Sequence, residues 1–202
     1  MKLIDLFELS SASSYRNKVD TRNVSSEKDT EDAKLLGKGS QGVAIERTKK
    51  PNMVTKVFGI NSDNDGLIQF IRMAQRHQNI HFPHFENLRI INKQYVGNDA
   101  NFKKTAAVDM EKLIPLNNEK IKDAVKSKLR EYGVLMQREE LTTSFSFDRV
   151  NLDAIKDSQL KKAIDLIRQV SPLTDMGARN IMVRLTSTGP QIVLVDPIYD
   201  PK

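Results

Sequence analysis

The stretch KLLGKGSQGVAIER, followed at once by NMVTKVFGI, does most to limit how this chain can fold. Apolar and polar residues roughly alternate at Val43 and Ile45 and again at Val54 and Val57, the period of a strand with one buried face. Between Leu36 and Val43, Gly37, Gly39 and Gly42 fall in a G-x-G-x-x-G spacing. Glycine lets backbone N–H groups approach phosphate oxygens with no side chain in the way, although glycines also make ordinary hairpin turns. A dinucleotide-binding turn is followed by a helix. Here a second strand follows, so the pattern predicts an antiparallel hairpin with a glycine-rich turn.

The rest of the chain reads as a sheet-rich segment and then a helical one. Residues 1–33 are expected to be a flexible N-terminal segment. Leu3, Ile4, Leu6, Phe7 and Leu9 allow one short amphipathic turn, and residues 10–34 are rich in Ser, Thr, Asn and charge. Serines 10, 11, 13, 14, 25 and 26 are possible phosphate acceptors there, although they also simply keep the segment solvated. In DGLIQFIRMAQRH, apolar residues at 67, 68, 70, 71 and 74 predict a helix. FENLRIINKQYVGN and NFKKTAAVDMEKL read as a strand pair around a Gly-Asn turn. Residues 117–138 and 151–170 read as two amphipathic helices, the second with Asn151 as N-cap and Pro172 as its stop. NIMVRL and QIVLVDP form a last strand pair turning at TSTGP.

Composition narrows the function classes. The 202 residues suffice for a buried core, and 39% hydrophobic with 29% charged residues is ordinary for a globular protein. No apolar run is long enough to span a membrane. The absence of cysteine excludes disulfide frameworks and thiolate metal sites and points to a reducing cytoplasm. A net charge of +6 permits a polyanionic partner. Its Lys and Arg residues are spread along the chain, however, and there is no Trp to stack on bases, so nucleic acid is not the favoured partner. His77, His81 and His84 have a spacing that suggests metal, but with no fourth ligand in view a structural turn is the expectation.

Four side chains are candidates for chemistry. Lys56 lies in the second strand, fourteen residues after Gly42. In LTDMGARN, Asp175 and Asn180 stand five apart, and IVLVDP delivers Asp196 at a strand end. Carboxylate and carboxamide oxygens suit Mg²⁺, which takes hard ligands and shares its shell with phosphate.

In this order, the glycine turn, the strand lysine, the D-x-x-x-x-N loop and the strand-ending Asp resemble the protein kinase-like superfamily over roughly residues 34–199. NIMVR and VLVDP are similar to the compact kinase-like proteins of bacteria and their phages, and HFPHF to a Pro-containing turn of many kinases. The resemblance implies an α+β, two-lobed fold: an antiparallel N-lobe sheet with one helix over residues 34–113, and a minimal helical C-lobe over 114–202. It implies ATP and Mg²⁺ as cofactors and assigns Asp175 as the catalytic base. Lys56 becomes the clamp on the α- and β-phosphates, Gly37, Gly39 and Gly42 the phosphate-covering loop, and Asn180 and Asp196 the metal ligands. Met110, Glu111 and Leu113 become the hinge backbone that reads adenine.

The chain also departs from that family. GLIQFIRMAQRH contains no Glu to pair with Lys56; Gln69 or Gln75 is left to hydrogen-bond it, or Asp196 to pair with it. Leu173 and Thr174 replace His-Arg before Asp175, and Gly177 stands where a Lys or His is usual, leaving Arg179 as a substitute cation. Asp196-Pro197-Ile198 replaces D-F-G, and an activation segment and a peptide-docking subdomain are expected to be missing. The leading expectation is transfer of the ATP γ-phosphate to protein Ser or Thr, the N-terminal segment included, in the cytoplasm (a host's, for a phage protein). The alternative is a pseudokinase that binds nucleotide or a protein partner without turnover. A small-molecule kinase of the aminoglycoside or choline type ranks below both, because it needs an acidic helical subdomain.

Overall fold

A computed structural model of the chain describes residues 33–38, 42–47, 50–92, 95–96, 101–135, 141–142 and 144–198. The expected N-terminal segment, Gly39 and the Gly-Asn turn at 97–98 lie outside these residues. The fold is mixed α+β, with a five-stranded antiparallel sheet and three α-helices among the described residues. The chain divides into two compact units, one within Met1–Ser62 and Glu86–Lys112, the other within Asp63–Phe85 and Leu113–Lys202.

Strands β1 (Ala33–Lys38), β2 (Gly42–Arg47), β3 (Lys50–Ile60), β4 (Phe85–Ile91) and β7 (Lys104–Glu111), which lie in the first unit except for Phe85 at the start of β4, order as β1-β2-β3-β7-β4. A small ladder pairs β5 (Tyr95–Val96) with β6 (Asn101–Phe102). The predicted glycine hairpin is β1–β2, with Lys38 opposite Val43 and a register shift between Leu35 and Gly37. Directly opposed residues share a face of a sheet. Ala44, Lys56 and Val108 are therefore on one face, and so are Val54 and Met110. Val43, Ile45, Val57 and Ala107 form a buried cluster on the other.

Gly42 is fixed by close approach. A Cβ there would stand 2.4 Å from the Val57 carbonyl oxygen and 2.8 Å from Phe58 Cβ. Backbone cannot step aside cheaply, so Gly42→Ala is expected to destabilise the protein by about 1–3 kcal/mol, read as a lower denaturant midpoint at unchanged slope. A midpoint equal to wild type would refute the packing role.

The second unit holds α1 (Gly66–His77), α2 (Lys122–Glu131), α3 (Ser158–Val170) and a three-stranded sheet. That sheet is formed by β8 (Ile114–Pro115), β9 (Ile181–Thr186) and β10 (Gly189–Leu194), in the order β10-β9-β8. Although α1 falls within the 34–113 segment in sequence, it clusters with this unit and packs on α3. It buries Leu67, Ile68, Phe70, Ile71, Met73 and Ala74, the face its periodicity predicts, and Asp65 caps it by accepting from the Leu67 amide.

Two helix boundaries differ from expectation. The helix expected over 117–138 spans only Lys122–Glu131, because Gly133 takes φ +74° and the Val134 amide returns to the Leu129 carbonyl at 2.9 Å. That is a left-handed glycine stop. The helix expected from Asn151 begins at Ser158, capped by Asp157, whose Oδ1 accepts from the Leu160 amide at 2.7 Å. Asn151 caps a short 3₁₀ turn at Leu152–Ala154 instead. The Lys156 amide is bonded to the Tyr132 carbonyl at 2.9 Å, which draws the chain out of helical geometry before Asp157. Ser171 is the C-cap of α3, and Pro172 follows as predicted.

His81 is a buried structural residue. Its Nδ1 lies 2.7 Å from the Ile192 carbonyl oxygen and its Nε2 3.3 Å from Asp157 Oδ1, while its own carbonyl accepts from the Leu194 amide. The loop around it is braced by Phe70, whose ring meets Phe82 and Phe85 edge-on.

Candidate functional site

The residues after α3 are irregular because Pro172 ends the helix and Gly177 starts a 3₁₀ turn over Ala178–Asn180. Backbone bonds tie this loop to the end of β10. Asp175 N donates to Pro197 O at 2.8 Å, Val195 N donates to Asn180 O at 2.9 Å, and Thr174 bridges Ile198. These bonds bracket Asp196. Asn180 Nδ2 also donates to the Asp175 carbonyl at 2.8 Å, so the other arm of its amide, Oδ1, points away from that carbonyl. Within the second unit, Asp175, Asn180 and Asp196 are thus brought into one neighbourhood.

The cation in this neighbourhood is Arg179. One of its guanidinium nitrogens lies 2.6 Å from Asp175 Oδ2; the arginine side chain is 77% exposed and the Asp175 side chain 24%. The hydrogen bond to Asp175 raises the Arg179 pKa, aided by the charges of Asp175 and then Asp196. A mostly exposed pair of this kind contributes little to stability. It places a guanidinium on Asp175 and within the field of Asp196.

Asp148 supports the loop from upstream. Its Oδ1 accepts from the Thr174 hydroxyl and its Oδ2 from the Met176 amide at 3.0 Å. Asp148 carries no signal in the sequence, since nothing local to Ser146–Arg149 points to residues 26 and 28 positions away.

Of the other predicted site residues, Gly37, Gly42, Lys56, Met110 and Glu111 belong to the first unit. Gly37 lies in β1 and Gly42 opens β2. Lys56 is half-buried in β3, with Nζ 5.7 Å from the centre of the Phe58 ring. Met110 is buried and Glu111 half-buried at the end of β7. Leu113 is half-buried and is the first residue after β7 to cluster with the second unit. The glutamines of α1 are used within their own unit: Gln69 Nε2 donates to Asn64 O at 2.6 Å and Gln75 Nε2 to Phe85 O at 3.2 Å.

The sheet also holds a polar centre that no sequence motif marks. Asp109 is buried and accepts from Thr55 Oγ1 at 2.8 Å, Asn87 Nδ2 at 3.0 Å and Arg89 at 3.4 Å, with Lys50 Nζ 3.6 Å away. A charge inside the apolar run TAAVDM was the available signal. With donors converging on it, this carboxylate links β3, β4 and β7 as a structural node.

The donor set of Asp196 and Asn180 is chemically suited to Mg²⁺, whose remaining ligands are ordinarily water and phosphate oxygens. Among the described residues there is no cluster of three or more His, Cys, Asp or Glu side chains that could hold a metal by themselves. Nor, among them, is any helix long and apolar enough to cross a membrane. No protein-family model, curated protein or solved structure matches this chain.

Proposed function

We propose that the protein is a Mg²⁺-dependent phosphotransferase of the protein kinase-like class, moving the γ-phosphoryl group of ATP to a protein Ser or Thr hydroxyl, its own N-terminal serines included. The observation that carries this reading is the grouping of Asp175, Asn180 and Asp196 by the bonds from Asp175 N to Pro197 O and from Val195 N to Asn180 O. In the reaction, the acceptor oxygen bonds to the γ-phosphorus as the bond from that phosphorus to the ADP oxygen breaks. ADP leaves with the electron pair, and Asp175 takes the acceptor's proton. Asn180 and Asp196 would hold Mg²⁺, whose charge offsets that of the phosphate oxygens.

The remaining roles follow the resemblance. By that resemblance, Lys56 and the glycine turn would clamp and cover the phosphates, and the backbone at Met110, Glu111 and Leu113 would read adenine. Arg179 supplies the cation that Gly177 does not, which its pairing with Asp175 supports. A chain without cysteine suits a reducing cytoplasm.

A second reading, a nucleotide-binding module without turnover, is favoured by α1. That helix contains no carboxylate, and both of its central glutamines donate to backbone carbonyls. Incubation with γ-labelled ATP and Mg²⁺, with products identified by mass spectrometry, separates the two when joined to a thermal-shift assay. ATP with Mg²⁺ at 100 times Kd is expected to add about 2.7 kcal/mol of stability and to leave label on Ser or Thr. A shift without label favours the binding module; neither shift nor label removes both readings.

A further inference from the structure

The Asp148 carboxylate has no part in the chemistry assigned above, yet it is bonded on both sides of Asp175. Thr174 donates its hydroxyl to Oδ1, Met176 its amide to Oδ2 at 3.0 Å, and Ser146 Oγ also donates to Oδ2 at 2.8 Å. The backbone beneath is paired as well. Phe147 N donates to Met176 O at 3.0 Å, Ala178 N donates to Phe145 O at 2.8 Å, and Ser146 and Gly177 form an isolated antiparallel bridge. Phe147 is fully buried and meets the Phe145 ring edge-on, which anchors this support in the core.

We propose that Asp148 is a positioning residue for Asp175, an inference that rests on Asp175 being the group that takes the acceptor's proton. Residues 174–176 have no helix or strand to set their dihedrals. The Asp175 amide is held by Pro197 O, but its two neighbours are held by the two oxygens of one carboxylate. Hydrogen bonds to an ionised acceptor are about twice as strong as neutral ones. Gripping Thr174 and Met176 together restricts rotation of the intervening residue, and so restricts where the Asp175 oxygens point. A misplacement of about 1 Å in a catalytic group costs roughly 100-fold in rate. Thr174 takes part through its hydroxyl at a position where kinases carry Arg, so one departure from the family has a defined use here.

Asp148 is exposed, so its loss is expected to leave the fold intact and separate positioning from stability. The test uses full-length Asp148→Ala and Thr174→Val, measuring phosphate transfer, KM for ATP, the melting midpoint and hydrogen exchange at the Met176 amide. Asp148→Ala is expected to lower kcat about 10- to 100-fold with KM for ATP within about two-fold of wild type, and to speed Met176 exchange. Thr174→Val removes one donor and is expected to give a smaller loss of kcat at unchanged KM. Wild-type kcat in Asp148→Ala, or a loss confined to KM, overturns the proposal. If Asp148→Ala does not fold, Thr174→Val decides by the same split. If the wild-type protein transfers no phosphate, the proposed function has failed separately. The clamp is then judged by Met176 exchange: unchanged protection in Asp148→Ala overturns it, and faster exchange there with β9 and β10 still protected sustains it.

Discussion

Asp175→Ala is expected to lower phosphate transfer about 10²- to 10⁴-fold, the range for loss of a general base, while stabilisation by ATP and Mg²⁺ persists. Asp196→Ala is expected to lose both. The contrast follows from the different roles of two carboxylates in one neighbourhood. On the proposed function, Asp175 would act on the acceptor hydroxyl and not on the nucleotide, whereas Asp196 would be one of the two side chains that hold the metal. Stability does not confound the comparison at 175. The ion pair lost there involves a guanidinium that is 77% exposed and can hydrate when its partner is removed. The loop also keeps its backbone bonds from Asp175 N and from Asn180 Nδ2 to the Asp175 carbonyl, neither of which uses the deleted side chain. Transfer kinetics and ATP-dependent melting shifts on both variants check this. Equal transfer by Asp175→Ala and wild type would remove the base assignment. Loss of the ATP shift in Asp175→Ala alone would exchange the roles of the two aspartates.

What could be read from the sequence was what local spacing encodes. The apolar positions of α1 appear as its buried face, and the last hairpin turns where TSTGP predicted, with Gly189 at φ +113°. Asp175 and Asn180 are near in sequence, the second closing the 3₁₀ turn Ala178–Asn180, whereas Asp196 comes beside them only through the bonds from Asp175 N to Pro197 O and from Val195 N to Asn180 O. The errors arose where a partner distant in sequence decides. Gly133 was visible in EYGVLMQ, but its left-handed conformation, which ends α2, was not read from it. The start of α3 moved from Asn151 to Asp157 because Tyr132 pulls on the Lys156 amide. Asp109 collects donors from positions 54, 22 and 20 residues away, and Asp148 reaches 26 and 28 residues forward. A single sequence carries no spacing rule for such pairs.

His81→Ala is expected to destabilise the second unit by roughly 3 kcal/mol at pH 8, within the range for large-to-small core substitutions, and this gap is expected to narrow as the pH falls. The ring is fully buried, so its removal leaves a cavity, deprives the Ile192 carbonyl of its partner and takes one contact from Asp157. The pH dependence comes from the groups around it. Burial lowers the His81 pKa, outweighing the upward pull of the Ile192 carbonyl and of Asp157, while Arg184 adds to the lowering. Tyr132, edge-on to the imidazole at 5.7 Å, has its own pKa pushed up to about 12, chiefly by burial, and stays neutral throughout this range. A histidine whose folded pKa lies below its unfolded value of about 6.5 stabilises the fold fully above that value. As the pH falls further, the unfolded chain binds the proton first and the contribution is lost. Wild type therefore weakens on acidification through a group that the variant lacks, and the two stabilities should approach each other between pH 8 and pH 5. Denaturant titrations of both proteins across that range measure the gap directly. A gap that stays constant or widens toward pH 5 would show that His81 is not held neutral in the fold.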